Sequence, residues 1–347
     1  MIDKEYCMSS FLMFRTVADA KKAFVENTEK RSINDDIYKE RKAIHSSEEL
    51  EEYLKIRVRE TCDQPTALAL SGGIDSAILA KFMPKGSIAY TFKCVVPGKQ
   101  VIDETAAAAR YAKECGLEHR VIEIFWDDFE KYAPILMSNK NAPIHSIEVQ
   151  IYKAFKTIMS DGINNIIFGE NADAIYGGLS QLLSKNWHVG EFIDRYSYVM
   201  PYKVLKKGEL ILEPFINNTE DGMIDPHKFI TDFFRVESLN SYLNAADTAG
   251  GNIIMPYAET YMAETIDYNR IRSGENKYWV REVFNRLYPD FEVPPKTPMP
   301  RPMNEWLENW SGPHREEFWP HCTDDLSGDQ KWLIWSLETY LNMIDEQ

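Results

Sequence analysis

The 347-residue sequence is poor in cations, in paired cysteines and in long apolar runs. It has 39 Lys and Arg against 54 Asp and Glu, a formal net charge of -15. A surface this acidic repels phosphate backbones and anionic lipid, which argues against nucleic-acid and membrane partners; one local basic pocket can still bind a small anion. The five cysteines, at 7, 62, 94, 115 and 322, are scattered without C-x-x-C spacing. They read as free thiols of a reducing compartment. The seven histidines lack metal-ligand spacing as well. No apolar run approaches the ~20 residues of a membrane span. The start, Met1-Ile2-Asp3-Lys4-Glu5, has no basic segment leading into an apolar one. These absences predict a cytoplasmic protein.

With 44% hydrophobic and 12% aromatic residues, the chain can build a sizeable core. Residues 1–45 read as an N-terminal extension, and Ser46-Ser47-Glu48-Glu49 as a helix start. Ala67–Leu70, Ile88–Phe92, Arg120–Ile124 and Asn165–Phe168 are short apolar runs of the kind expected of buried parallel strands. Helical segments separate them, among them the alanine-rich Asp103–Cys115 ended by Gly116. Such alternation predicts an α/β fold, a parallel sheet with helices on both faces, over residues 46–185. From 186 to 347 the pattern is mainly helical, without clear strands.

The first strand runs into Ser71-Gly72-Gly73-Ile74-Asp75-Ser76. Two adjacent glycines let the backbone turn tightly and approach a phosphate without a Cβ clash. Ser71 and Ser76 add hydroxyl donors, and the helix that follows directs its positive end at an anion. Asp75 would repel a phosphate directly, and makes sense as a ligand of Mg2+ that bridges to the phosphates. The alternative is an ordinary strand-to-helix turn. No lysine ends a long glycine loop, so this is not a Walker A pattern. Another motif, Phe168-Gly169-Glu170-Asn171-Ala172-Asp173-Ala174-Ile175-Tyr176-Gly177-Gly178, follows the fourth strand, where open α/β sheets bind ligands.

The Ser71–Ser76 string resembles the PP-loop signature of the ATP pyrophosphatase superfamily, whose members split ATP between the α and β phosphates. The Phe168–Gly178 string resembles the Gly-Glu-Gly-x-Asp-Glu-x-x-Gly-Gly segment of asparagine synthetases and β-lactam synthetases. That resemblance implies a PP-loop (adenine nucleotide α-hydrolase-like) core, ATP and Mg2+ as cofactors, Asp173 with Asp75 on the metal, and Glu170 facing the reaction centre. Leu70, Phe92 and Gly169 join the loop residues as implied nucleotide contacts. Tyr176 is either a catalytic assistant or a packing residue. Two departures stand out: Asn171 for the usual Gly, and Ala174 for the usual Glu.

Further along, Ile254-Met255-Pro256-Tyr257-Ala258-Glu259 is similar to the family's Val-Pro-Phe-Leu-Asp segment, and Asn276–Phe284 to its Lys-Tyr-x-Leu-Arg-Glu-x-Phe helix. Lys277 and Arg281, one helical turn apart, either face pyrophosphate, are solvated or serve packing. Lys296, in the proline-rich stretch Val293–Pro302, stands at the place of the family's catalytic lysine; the alternative is a solvated loop lysine. A fixed ammonium in a dry site stabilises charge on the α-phosphate and on the acyl oxyanion. Asp103 and Glu104 are helix-start charges or substrate-side groups. The resemblance covers about residues 45–310, and residue 2 is Ile rather than the nucleophilic Cys of the family's glutaminase domain.

These motifs together imply an AMP-forming amide ligase without its own glutaminase. It would join a small-molecule carboxylate to ammonia or an amine, with a separate ammonia-supplying subunit as possible partner. Alternatives are an ammonia-dependent NAD- or GMP-synthetase-type enzyme, or a catalytically degenerate nucleotide-binding subunit.

Overall fold

A computed structural model describes residues 1–26, 40–295 and 297–346. Its centre is a five-stranded sheet of β1 (Thr66–Ala69), β2 (Ile88–Cys94), β3 (Glu118–Ile124), β4 (Asn165–Ile167) and β5 (Asn252–Ile254). The spatial order is β3-β2-β1-β4-β5, and every neighbouring pair is parallel. All four residues of β1 are buried. Ala67 and Ala69 pack into the core on one face with Ile166. Leu68 and Leu70 pack into the other with Ile167. A parallel strand covered on both faces needs apolar residues at odd and even positions alike, which is why these runs are continuous rather than alternating.

One face is covered by helices Ser47–Thr61, Ile74–Phe82, Thr105–Cys115 and Tyr278–Leu287. The other carries Trp126–Lys140, Ser146–Ser160, Arg235–Ala249 and Gly328–Asp345. Ser46 caps its helix by accepting from Glu49 N–H, and Gly116 ends Thr105–Cys115 in the left-handed conformation at φ 67°. The parallel sheet and the helical C-terminal portion agree with the sequence pattern. The fifth strand, however, comes from the stretch that shows no clear strands in the sequence. Three residues preceded by Gly250-Gly251 carry no readable periodicity; β5 is specified by its pairing with β4.

The strand order reverses direction of growth between β1 and β4. Loops leaving the carboxyl ends of those strands diverge and open a crevice there. The two loops are the Ser71–Ser76 string and the segment after Phe168.

Residues 1–26 are integrated into the core rather than trailing from it. Helix Lys4–Phe14 buries every residue from Tyr6 to Phe14, and Phe24 is buried beside it against Tyr340. All five cysteines are free thiols, as expected. Among the described residues no helix is long and apolar enough to cross a membrane.

The side chain of Phe14 is fully buried, with ring centroids of Phe215 and Phe233 at 5.3 and 5.0 Å. Phe14→Ala is expected to cost about 3–5 kcal/mol, the range for emptying a buried aromatic site. Urea unfolding checks this; a loss below about 1 kcal/mol contradicts a core role for the N-terminal helix.

Candidate active site

The turn after β1 is held shut by its own hydroxyls. Ser76 Oγ accepts from Ser71 N–H at 3.0 Å, and Ser71 Oγ accepts from Gly73 N–H at 3.1 Å. The helix starts at Ile74, so Asp75 and Ser76 lie in its first turn. No side chain caps that terminus, which leaves its backbone N–H groups to a ligand. Gly169 makes close approach possible: a Cβ there would stand 3.0 Å from Ser76 N. Gly72 lies under helix Thr105–Cys115, where a Cβ would meet Ala107 at 3.1 Å.

Asp75 and Asp173 come together on one ammonium. Lys277 Nζ lies 2.9 and 2.8 Å from the two Asp75 oxygens and 3.0 Å from Asp173 Oδ1. Lys277 is buried and takes a left-handed backbone, φ 53°, at the start of helix Tyr278–Leu287. Burial alone would favour its neutral form, but the two carboxylates outweigh it and hold the ammonium above its ordinary range. Arg281, one turn further, instead fastens this helix start by donating to Asn276 O at 2.6 Å.

The motif after β4 accounts for its own departures. Asn171 sits at φ 69°, a left-handed conformation that asparagine tolerates better than most residues, so it substitutes for glycine with little strain. Ala174 is buried in an apolar cluster with Leu183, Ile230, Ile266 and Ile271; a glutamate there would place an unpaired charge in that cluster. Gly177 and Gly178 are both required. Gly177 is left-handed at φ 77°, and a Cβ on Gly178 would fall 1.9 Å from Asp173 Oδ1.

Around these loops lies a cavity of about 170 Å³. Leu70, Ser71, Asp75 and Ser76 line it from one side, Phe168, Gly169, Glu170 and Asp173 from another, and Phe92 from β2. Phe92 and Phe168 stack with centroids 6.4 Å apart. Glu170 accepts from Ser238 Oγ at 2.8 Å. Burial raises its carboxyl above the ordinary range, against the hydrogen bonds of Ser238 and Tyr242.

Tyr176 is not brought to the site. It is buried in the core, its hydroxyl shares a 2.7 Å bond with Thr260 Oγ1, and it lines neither this cavity nor the larger one of about 700 Å³ that shares Glu170 and Asp173 with it. Lys296 lies outside the described residues, while Thr297, Met299 and Pro300 after it line the cavity. Pro300 O accepts from Gln150 at 3.1 Å, which anchors that loop.

Glu104, for which the sequence leaves two roles open, also lines the cavity, and Gly72 N–H bonds to its carboxyl. Tyr242 and Ser238 give no signal in the sequence, because they sit on a helix remote from both loops and carry no motif.

Whether the residues fit Mg2+ can be judged from the donors. Two carboxylates converge on one point, and the bare Cα of Gly178 leaves room for Asp173 Oδ1. Among the described residues no group of three or more His, Cys, Asp or Glu could enclose a metal. Mg2+ keeps several waters and takes one or two protein carboxylates plus phosphates, so Asp75 and Asp173 suffice as its protein donors, with the Lys277 ammonium sharing the same two carboxylates. The residues fit.

Residues 46–223 match the family model described as asparagine synthase. Solved structures similar to the chain include an NH3-dependent NAD synthetase from Campylobacter jejuni subsp. jejuni NCTC 11168, at 17% identity and TM-score 0.26. That alignment covers 39% of this chain and 61% of the NAD synthetase, less than two thirds of its length. Others are the U34-tRNA thiolase NcsA from Methanococcus maripaludis (14% identity, TM-score 0.27, 72% and 82% covered) and NMN synthetase from Francisella tularensis (14%, 0.24, 73% and 100%). Scores this low carry no argument about function. Among curated proteins none matches.

Burial pushes the Glu104 carboxyl from 4.5 up to about 7, with Asp103 adding to the rise. The folded chain therefore keeps a proton that the unfolded chain has already lost. Stability from this group is lost as pH rises from about 4.5 to about 7 and stays lost above. Glu104→Gln is expected to raise the melting temperature over the parent at about pH 8, the gain vanishing near pH 4.5. A pH-independent difference contradicts the assignment.

Proposed function

Because the chain belongs to the asparagine synthase family, we propose that it is an ATP-dependent, AMP-forming amide ligase acting on a small-molecule carboxylate. The convergence of Asp75, Asp173 and Lys277 beside an uncapped helix start is the observation that carries this reading. ATP enters the cavity between Phe92 and Phe168 and the Ser71–Ser76 loop. Its phosphates are received by the N–H groups of the first turn after Gly73, with the Ser71 and Ser76 hydroxyls beside them.

Asp75 and Asp173 would hold Mg2+, which when bound neutralises phosphate charge and orients the α-phosphorus for attack. The chain's own residues do the rest. The substrate carboxylate attacks the α-phosphorus, and the bond to the β-phosphate oxygen breaks to release pyrophosphate. Lys277 supplies positive charge next to the carboxylates that face the phosphates. Lys296, on the segment whose following residues line the cavity, stabilises charge on the α-phosphate and then on the acyl oxyanion. Ammonia or an amine attacks the acyl carbon, and AMP leaves. Glu170, a carboxylate whose proton affinity burial has raised, takes the proton the nitrogen sheds. The nitrogen arrives from solution or from a separate subunit.

The degenerate-subunit alternative rests on Asn171 and Ala174. Both are accounted for by backbone conformation and apolar packing, so neither speaks for lost catalysis. Asp75→Asn keeps the shape but removes the charge. It is expected to abolish acid-dependent pyrophosphate release, a loss of at least about a hundredfold for a charge-stabilising group. Release at the parent rate would sink the assignment.

A further inference from the structure

The nucleotide cavity continues into the larger one of about 700 Å³, and the two share Glu170, Asp173, Tyr242 and Met299 as walls. One strap of chain runs along both. Thr297, Met299 and Pro300 line the nucleotide cavity, and Pro298, Met299 and Arg301 line the larger one. Arg301 stands at the end of the larger cavity formed by Arg15, His145 and Tyr196. Met299 therefore belongs to the partition between the two spaces.

Half of the ten residues Val293–Pro302 are proline. Proline has no N–H and keeps the residue before it extended, so this strap has few donors with which to fasten itself. Its carbonyls are the handles. Pro300 O accepts twice, from Gln150 Nε2 at 3.1 Å and from Cys94 Sγ at 3.2 Å. Beyond that point the chain is bolted down. Arg301 pairs with Asp329, its carbonyl accepts from Met303 N–H at 2.8 Å, and Trp306 packs on Phe129 with centroids 4.9 Å apart. The tie at Pro300 O lies four residues from Lys296.

Both donors stand where an apolar residue would be expected. Gln150 is fully buried on helix Ser146–Ser160, and its Oε1 has no partner. A buried amide with its oxygen unmet costs more than an apolar side chain of the same shape. The bond to Pro300 O is the compensation, and it fixes the amide with its NH2 group toward the strap. Cys94 is the last residue of β2, two past Phe92 and so on the same face of the sheet. Burial holds its thiol above the ordinary range, against the pull of Arg301, so the sulfur keeps the proton it donates. Neither side chain lines either cavity. They reach the site only through the strap.

We propose that Gln150 and Cys94 are positioning residues for adenylation: by holding Pro300 O they fix Thr297–Arg301 along both cavities, with Met299 between nucleotide and acid. The word adenylation rests on the ligase reading, but the hold on Pro300 does not. Reacting groups displaced by about 1 Å can lose about a hundredfold in rate, so a remote tie of this kind has leverage on the chemistry. The two donors share one acceptor. Either alone leaves the buried carbonyl satisfied, and loss of both leaves it with neither donor.

The test uses the full chain. N-ethylmaleimide labels thiols, and peptide mass spectrometry locates the label. Gln150→Met keeps the volume and removes the donor. It is expected to speed labelling of Cys94 roughly threefold to tenfold, the scale of one hydrogen bond in the local opening equilibrium. Labelling of Cys7 and Cys115, buried elsewhere in the core, stays at the parent rate, which separates a loosened strap from a loosened fold. Calorimetry is expected to show ATP bound as in the parent. In acid-dependent pyrophosphate release, Gln150→Met and Cys94→Ala each lower kcat roughly threefold to tenfold while the KM for ATP is kept. Cys94→Ser, which keeps a hydroxyl donor, lies closer to the parent than Cys94→Ala. The double variant falls by more than the product of the two single losses. Cys94 labelled at the parent rate in Gln150→Met, or all three buried thiols speeded alike, overturns the positioning role whatever the activity. So does a kcat that neither single variant nor the double lowers. Selective labelling in a chain whose parent releases no pyrophosphate with any acid supports the hold on Pro300 and overturns the ligase reading. Should Gln150→Met fail to fold, Cys94→Ala against Cys94→Ser gives the comparison by kcat.

Discussion

Two carboxylates and one ammonium hold the centre of this protein. Asp75 belongs to the turn after β1 and Asp173 to the turn after β4, and both reach Lys277 Nζ at about hydrogen-bond distance. Two like charges about 4 Å apart near a protein surface repel by roughly 4 kcal/mol, so the pair needs a cation between its members. Lys277 supplies one from a third segment, and its left-handed backbone places it at the start of helix Tyr278–Leu287. That contact joins the first turn of helix Ile74–Phe82, the short Ala172–Ile175 turn and the C-terminal half in one place. It adds to what the pairing of β1 with β4 and the close approach of Gly169 to Ser76 already dictate.

The cavity arrangement follows from strand order. Because β1 and β4 are adjacent and their connections diverge, the space between the loops is ready-made, and Phe92 and Phe168 wall its apolar side. The N-terminal helix then completes the far end of the adjoining cavity. Of that helix and its end, Arg15 lines the larger cavity, while residues 6–14 are buried in the core. An acidic surface with a locally basic interior is consistent physically, since paired and buried charges shape a cavity while the exposed surplus sets the net charge.

The loop strings are legible in the sequence because they are local: glycines where backbones must approach, hydroxyls at the turn, an aspartate in the first turn. The Gly177-Gly178 pair is legible as a motif, though its reason, room for the Asp173 carboxylate, is visible only in three dimensions. Lys277 cannot be placed from spacing, because its partners lie in two distant loops. The Arg15, His145 and Tyr196 cluster leaves no sequence signal, being assembled by long-range packing. β5 is too short to show a period, and Tyr176 shows how a residue inside a motif can serve only the core.

If Asp75, Asp173 and Lys277 organise the phosphates as proposed, ATP is cleaved between its α and β phosphates at this site. Phosphorus NMR can follow ATP turned over by the full chain with magnesium, an accepted acid and ammonia. AMP and pyrophosphate should then appear together in equal amounts, and only when the acid is present. ADP with inorganic phosphate would contradict the adenylation chemistry.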